Sequence, residues 1–220
     1  MSQFLLALDT ATTRTSVALL DGTQTLIEVS RDGATGHGEA LPELVAQALK
    51  DISPTQLRAI AVGIGPGPFT GLRVGLAFAR SMAWALNIDA IGVCTLDALA
   101  RDYYAQDSAL LGGFAVATDA RRKEVYWATY DKYGNRQGEP IVTRSTEIPS
   151  HLLALPTVGS GAALYPQEFR THLMPLFPTA AAIGLLGLEK LLSGQSLSTE
   201  PLYLRRPDAI PPTATTAASR

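Results

Sequence analysis

The most constraining feature of the chain is residues 63–86, a glycine-rich turn that runs into a long apolar segment. Four glycines and two prolines stand in residues 63–71, and residues 58–62 before them have the pattern of a short buried strand. This order predicts a helix that begins near Gly71, with its free N–H groups directed back at the turn. Such a helix terminus suits an anion. The turn matches neither GxxxxGK(S/T) nor GxGxxG, however, so we favour a tight connection that packs a helix close to a sheet.

The helix predicted after this turn carries a stripe of small residues. The stripe consists of Gly71, Gly75, Ala79 and Ala83, one every four residues, and large apolar side chains cover most of the remaining circumference. A helix that is apolar nearly all round is buried on more than one side, and small side chains let another helix approach closely. One side is expected to cover the sheet. The partner of the other side belongs either to this chain or to another protein, and the pattern does not decide between them.

The composition argues against several classes of protein. The net charge of the 220 residues is −2, so no basic field indicates direct nucleic-acid binding. The one cysteine, Cys94, has no disulfide partner in the chain and lies in an apolar strand pattern, which predicts a buried, inert thiol. The N-terminus lacks the cationic start of a signal peptide, and no segment reaches the ~20 uncharged apolar residues of a membrane span. We therefore expect a soluble cytoplasmic protein.

The chain shows the same order of strand patterns twice, which predicts a duplicated three-strand meander. Each copy begins with an apolar run that ends at an aspartate, namely residues 4–8 before Asp9 and residues 114–118 before Asp119. The remaining predicted strands are 16–20 and 26–30 in the first copy, and 125–130 and 141–143 in the second. The composition changes near residue 107. We therefore predict an N-terminal lobe at 1–106, a smaller C-terminal lobe at 107–210 and a disordered tail at 211–220.

Three further helices are predicted from their faces and ends. One covers residues 39–50, and another covers residues 96–104 with Thr95 as its cap. The last begins after Thr179, its predicted N-cap, and ends at Gly194.

Asp9 and His37 are the candidates for chemistry. In sugar kinases and actin an aspartate at a strand end faces a metal-bound phosphate, with a glycine two residues later. This chain has Ala11 there, and its Cβ obstructs the tight turn around a phosphate. We therefore favour an Asp9 that caps its own turn through backbone N–H groups. His37 lacks a second ligand at helical spacing, so no metal site is predicted. The charged turn at 119–124 is left open between a solvated corner and an ion pair between lobes.

Five segments occur in a fixed order and together resemble one family. They are LALDTAT (6–12), GHGEALPELV (36–45), GIGPGPFTGLRVG (63–75), ATDARRKEVYWA (117–128) and EPLYLRRP (200–207). The chain resembles the TsaB (formerly YeaZ) family, a bacterial partner in making threonylcarbamoyladenosine on tRNA. The similarity spans residues 4–207. It implies an α/β fold of the actin, Hsp70 and sugar-kinase (ASKHA) superfamily, in which two duplicated lobes each hold a mixed sheet flanked by helices.

The resemblance implies a non-catalytic accessory subunit. The catalytic relative, TsaD, binds a metal through two histidines four residues apart on its first helix, whereas this chain has His37 and then Leu41. Family members bind TsaD through their first two helices, pair with themselves when alone, and join a complex that includes a small ATPase, TsaE. Contact with tRNA is then only indirect, and no cofactor is implied. The residues expected at the interface are Leu41, Val45, Ala48, Leu72, Leu76, Ala79, Arg80 and Ala83.

Two alternatives are kept beside the accessory subunit. One is an enzyme, either of the metallopeptidase or glycoprotease type or a kinase-like ATPase, against which Ala11 and the single His37 argue. The other is a nucleotide-sensing module in which Gly65, Gly67 and Thr70 contact a phosphate at a subunit junction without hydrolysis. The accessory hypothesis also predicts that Ala83→Leu weakens self-association and TsaD binding while the monomer stays folded, because the small stripe would receive the partner.

Overall fold

The first five strands form one mixed sheet. The structure is a computed structural model that describes residues 4–33, 36–106 and 112–205. Its first sheet contains β1 (Phe4–Asp9), β2 (Arg14–Asp21), β3 (Gln24–Asp32), β4 (Leu57–Gly63) and β5 (Asp89–Val93). The strands lie in the order β3-β2-β1-β4-β5. β1, β2 and β3 form an antiparallel meander, and β4 and β5 continue the sheet parallel to β1.

The second sheet repeats this plan. It contains β6 (Phe114–Asp119), β7 (Glu124–Tyr130), β8 (Arg136–Arg144), β9 (Thr157–Val158) and β10 (His172–Leu173), in the order β10-β9-β6-β7-β8. β6, β7 and β8 form an antiparallel meander, and β9 lies parallel to β6 as β4 lies parallel to β1. The predicted duplicated meander is therefore confirmed. Most strands extend beyond the predicted bounds, because ladder hydrogen bonds continue past the apolar residues that a sequence pattern reports.

Helices cover both faces of the first sheet. The α-helices of the described ranges are α1 (His37–Ala48), α2 (Phe69–Leu86), α3 (Thr95–Gln106), α4 (Ser150–Leu153), α5 (Ser160–Leu164) and α6 (Ala180–Ser193). α1 and α2 pack on the face that presents Leu6 and Leu8, and α6 packs on the face that presents Leu5 and Ala7. This division follows from the alternation of side chains along a strand. α3 packs against the second sheet and also contacts α6. None of the helices in the described ranges is long and apolar enough to span a bilayer.

The chain returns to the first sheet after it has completed the second. α6 contacts β1, β2, β4 and β5. The predicted C-terminal lobe at 107–210 therefore includes a helix that covers the sheet of the N-terminal lobe. A helical pattern reports which side is apolar and not which sheet it covers, so the sequence did not reveal this. The predicted boundary at residue 107 and the tail at 211–220 fall on residues outside the described ranges, and both stay predictions.

Both ends of α6 follow their local signals, whereas the starts of α2 and α3 differ from the predicted ones. The Thr179 hydroxyl accepts a hydrogen bond from Ala182 N (3.0 Å), and Gly194 adopts a left-handed φ of 68°, so both predicted ends of α6 are confirmed. α2 begins at Phe69, two residues before the predicted Gly71. The predicted cap at Thr95 is wrong, because Thr95 is the first residue of α3 and its hydroxyl donates to Asp9.

The small stripe of α2 lies against the chain's own sheet. The Thr10 hydroxyl, just after β1, donates to the Gly71 carbonyl (2.7 Å) and accepts from Gly75 N (3.1 Å). A Cβ at either glycine would overlap Thr10. Ala79 and Ala83 are 0% and 3% exposed in the same core. The element that approaches the stripe closely is thus the end of a strand, and the expectation that the stripe receives a partner helix is corrected.

Candidate functional site

Asp9 ends β1 and is closed off from solvent. It is 1% exposed, and its carboxylate accepts hydrogen bonds from the Thr95 hydroxyl (2.8 Å) and from Ala11 N (2.9 Å). Burial raises the pKa of this carboxyl from 3.8 to about 6, against the lowering effect of both hydrogen bonds. On β4, a Cβ at Gly63 would overlap the carboxylate. The bond to Ala11 confirms that Asp9 caps its own turn, so this acid stabilises the strand end and does not face a ligand.

Two of the three predicted phosphate contacts are used within the chain. A Cβ at Gly67 would overlap the Ala11 carbonyl, and the Gly67 carbonyl accepts a hydrogen bond from the Tyr126 hydroxyl (3.4 Å). Gly65 is buried with a φ of 92°. Both glycines thus serve close packing of the turn, as the favoured interpretation of this turn expects. Thr70 is the exposed residue of the three.

Thr70 lines a cavity of about 350 Å³ that residues of both lobes enclose. The first residues of α1 and α2 line it, and neither helix has a side-chain cap, so free N–H groups and two positive helix ends meet there. Arg121 reaches the cavity from the second sheet and pairs with Asp119 (3.3 Å). The lining residues are Thr12, Thr13, Gly36, His37, Gly38, Pro68, Thr70, Gly71, Val74 and Arg121. This set of groups favours an anion.

His37 and Cys94 are held in structural roles. His37 Nδ1 lies 2.7 Å from the Thr15 hydroxyl oxygen, and burial lowers the pKa of the imidazole. Leu41, one turn later, is buried in the core. Among residues 4–33, 36–106 and 112–205, no group of three or more His, Cys, Asp or Glu side chains could hold a metal ion. Cys94 is buried and its thiol pKa is raised to about 12 by burial, which confirms the inert thiol.

α1 and α2 leave an apolar groove between their outer sides, which we call the α1–α2 groove. Its volume is about 600 Å³, and it is lined by Gly38, Leu41, Pro42, Val74, Ala77, Phe78, Ser81 and Met82. Val74, Phe78 and Met82 are half-buried and stand four residues apart along α2. Trp84 on the same helix is 86% exposed. Contiguous exposed apolar surface with an aromatic residue is typical of a protein contact.

Seven of the eight predicted interface residues lie in the chain's own core. These seven residues, each at most 6% exposed, are Leu41, Val45, Ala48, Leu72, Leu76, Ala79 and Ala83. Arg80 is exposed, and its guanidinium donates to the side chains of Thr199 and Glu200. The most regular apolar row of a helix that covers a sheet faces the sheet. Contact with a partner stays a prediction, and its residues move to the outer row. The sequence signal for this row was the second four-residue spacing, at Val74, Phe78 and Met82.

The charged turn between β6 and β7 is tied to the C-terminal segment. Arg205 donates to the Ala120 carbonyl (3.2 Å) and pairs with the Glu124 carboxylate. Arg205 and Glu124 both lie within the predicted C-terminal lobe at 107–210, so the turn forms an ion pair inside that lobe. An ion pair between the lobes stays a prediction.

Comparison with known proteins decides the family. A family model described as "TsaD: tRNA N6-adenosine threonylcarbamoyltransferase" matches residues 29–176. The tRNA threonylcarbamoyladenosine biosynthesis protein TsaB of Escherichia coli (strain K12) is 31% identical, over 91% of this chain and 94% of that protein. The chain belongs to the TsaB (YeaZ) family. A further relative, the uncharacterized protein ML0378 of Mycobacterium leprae, is 40% identical over 96% of this chain, which spans 57% of that relative's length.

Solved structures share the TsaB fold. YeaZ from Pseudomonas aeruginosa superposes with a TM-score of 0.78 at 28% identity, over 92% of this chain and 100% of that one. The ethanolamine utilization protein EutJ from Carboxydothermus hydrogenoformans gives a TM-score of 0.50 at 13% identity, over 84% and 90% of the two chains, and is similar in fold alone. With two mixed sheets of the same plan, the TsaB-family chain has the expected actin/Hsp70/sugar-kinase-like fold.

Proposed function

We propose that the chain is a non-catalytic accessory subunit in the formation of threonylcarbamoyladenosine on tRNA. It binds a TsaD-like catalytic subunit and supports its activity, and a TsaE-like ATPase acts within the same complex. Alone, the chain pairs with itself. It contacts tRNA only indirectly and works in the cytoplasm. The names of its relatives, among them TsaB of Escherichia coli, support the process to which we assign it.

The α1–α2 groove is the observation that carries this proposal. The groove is open to solvent, and the apolar row of Val74, Phe78 and Met82 runs along it. Ala77 and Ser81 stand between members of this row and are small and exposed, so a partner helix could approach α2 closely there. Trp84 offers a large side chain beside the small ones, and tryptophan is enriched among residues that dominate binding energy.

The polar groups of the chain support an accessory role over catalysis. Asp9 is buried beneath its own turn, where Thr95 and Ala11 occupy its carboxylate oxygens. The ring nitrogen Nδ1 of His37 is engaged with Thr15, and the residue one turn later is the core residue Leu41. Among the described residues, neither stands in a group of three or more side chains that could hold a metal ion.

An Ala77→Glu variant tests docking at the groove. Ala77 is exposed in the free chain, so the variant is expected to fold, but an unpaired carboxylate buried by a partner costs about 3 kcal/mol or more. We expect at least about a hundredfold weaker binding to the TsaD-type protein of the same genome. Ala105→Glu on α3 is the matched control, since Ala105 is also an exposed helical alanine. Calorimetry and a tRNA modification assay are the measurements, and wild-type binding by Ala77→Glu would refute this docking site.

The cavity beside Thr70 favours one second candidate, a nucleotide-sensing module. Its two uncapped helix ends and Arg121 suit a phosphate group. Titration calorimetry with ADP and ATP, with and without the TsaD-like subunit, tests this role. Heat that is lost in an Arg121→Ala variant supports it, and no heat in either mixture removes it.

A further inference from the structure

The C-terminal segment at residues 197–205, which we call the strap, has no regular secondary structure and lies over the first sheet and α2. At its start, the Leu197 carbonyl accepts a hydrogen bond from Gly92 N on β5 (3.2 Å). A Cβ at Gly92 would overlap the Ser198 carbonyl, so the strap lies directly on the strand. Further along, Leu202 N donates to the Ile64 carbonyl at the start of the glycine turn (2.8 Å).

Two arginines of α2 hold the middle of the strap. The Arg80 guanidinium donates to the Thr199 carbonyl (2.6 Å), to the Thr199 hydroxyl (2.8 Å) and to the Glu200 carboxylate (3.1 Å). Arg73 donates to the Tyr203 hydroxyl (3.1 Å), and the Tyr203 ring packs against Phe69 with centroids 4.7 Å apart. Arg73 and Arg80 are both neighbours of Ala77 on α2, and Arg80 is also a neighbour of Trp84, because residues three and four apart are adjacent on a helix.

The far end of the strap holds a strained turn of the second sheet. Arg121, Arg122 and Lys123 have φ angles of 61°, 55° and 64°. Non-glycine residues adopt this left-handed conformation rarely, and it persists only where the surrounding structure fixes it. Arg205 bridges the two ends of the turn, since it bonds both to the Ala120 carbonyl and to the Glu124 carboxylate. Arg205 thus helps to hold the turn in this strained conformation.

We propose that the strap couples the outer side of α2 to the turn at 120–124. Because Arg80 and Arg205 hold two points of the strap, release of either point loosens the other. Arg121 of this turn lines the cavity beside Thr70. A change in the contacts of Arg80 on α2 would therefore change the position of Arg121 in that cavity. A partner that covers α2 excludes water from the Arg80 contacts, which strengthens them and fixes the turn. This last step rests on the proposed docking function, whereas the coupling within the chain does not.

Amide hydrogen exchange on the free chain tests the coupling. The reporters are the hydrogen-bonded amides of Ala120 and Glu124 in the turn and of Leu202 in the strap. Coupling between sites is reciprocal, so Arg80→Ala should speed exchange in the turn, and Arg205→Ala should speed exchange at Leu202, each by at least about fivefold. The control is Arg31→Ala, which removes an exposed ion pair with Glu43 far from the strap along the fold and should leave all three reporters unchanged.

The amides of β1 report global unfolding in the same samples. If they also exchange faster in an alanine variant, Arg80→Lys and Arg205→Lys replace it, because lysine keeps the charge but not the forked hydrogen bonds. Acceleration confined to the mutated end of the strap overturns the coupling. Slower exchange of the turn upon addition of the TsaD-like subunit supports the docking step. Reciprocal effects in the free chain without any response to that subunit keep the coupling and refute the step in which a docked partner fixes the turn.

Discussion

Replacing Ala83 by leucine is expected to destabilise the isolated chain. Ala83 is 3% exposed and belongs to the cluster that joins α2 to the first sheet. The cavities described above are lined by other residues, so the added carbon atoms displace neighbours that already fill the core. This outcome is opposite to the one expected from the sequence, in which the small stripe met a partner and the variant monomer stayed intact.

The magnitude follows from the cost of overpacking. Additional methylene groups in a well-packed core cost about 1–3 kcal/mol. For a chain of this length each 1 kcal/mol lowers the melting temperature by about 2–4 °C, which gives a fall of about 2–12 °C. The matched control is Ala77→Leu, the same change on the exposed side of the same helix, where the free energy of unfolding should stay within about 0.5 kcal/mol of wild type.

Urea denaturation followed by circular dichroism measures the two free energies of unfolding. Each variant is melted at two protein concentrations, because self-association would make the melting temperature depend on concentration. Equal stability of Ala83→Leu and Ala77→Leu would refute the packing described here. In that case the small stripe of α2 would be available to a partner, as first inferred from its spacing.

Three further changes probe other parts of the fold. Between about pH 4 and pH 6 the folded chain keeps the Asp9 proton, whereas the unfolded chain loses it. The free energy of unfolding of the wild type, compared with that of Asp9→Asn, should therefore fall by about 3 kcal/mol as the pH rises through this range. Above about pH 6 the difference should stay constant. Urea denaturation across this range measures the difference. Gly67→Ala should cost about 1–3 kcal/mol, because its Cβ meets the Ala11 carbonyl, and a wild-type urea midpoint would contradict this. Thr179→Ala should cost about 0.5–2 kcal/mol through loss of the cap on Ala182 N, measured by thermal melting and by faster amide exchange in the first turn of α6.

The duplicated meander was predictable because its signals are local. Alternating apolar residues and the Asp21-Gly22 turn determine β2 and β3 within a few residues of one another. The Asp9 side chain bonds to the backbone two residues later, a contact that a short segment contains entirely. Contacts between residues that are close in sequence can be predicted without knowing the remaining fold, and the structure contains the ones predicted here.

The contacts of the helices were not predictable in the same way. The spacing of Gly71 and Gly75 showed that something approaches α2 closely, but Thr10 lies 61 and 65 residues earlier in the chain. The strap is a further case, since Arg80 and Thr199 are separated by 119 residues. A periodic pattern identifies a face and not its neighbour. For this reason the sequence pattern places the expected interface on the row of α2 that faces the sheet.

The position of α6 has a consequence for synthesis on the ribosome. One face of the first sheet, including Leu5, Ala7 and Ile91, is covered by a helix that begins only at Ala180. A nascent chain therefore carries this apolar face without its cover until most of the polypeptide has emerged. We therefore expect that the N-terminal half does not fold stably on its own. A chain truncated before Ala180 is expected to bind the dye ANS strongly, and weak binding would mean that another segment shields the sheet.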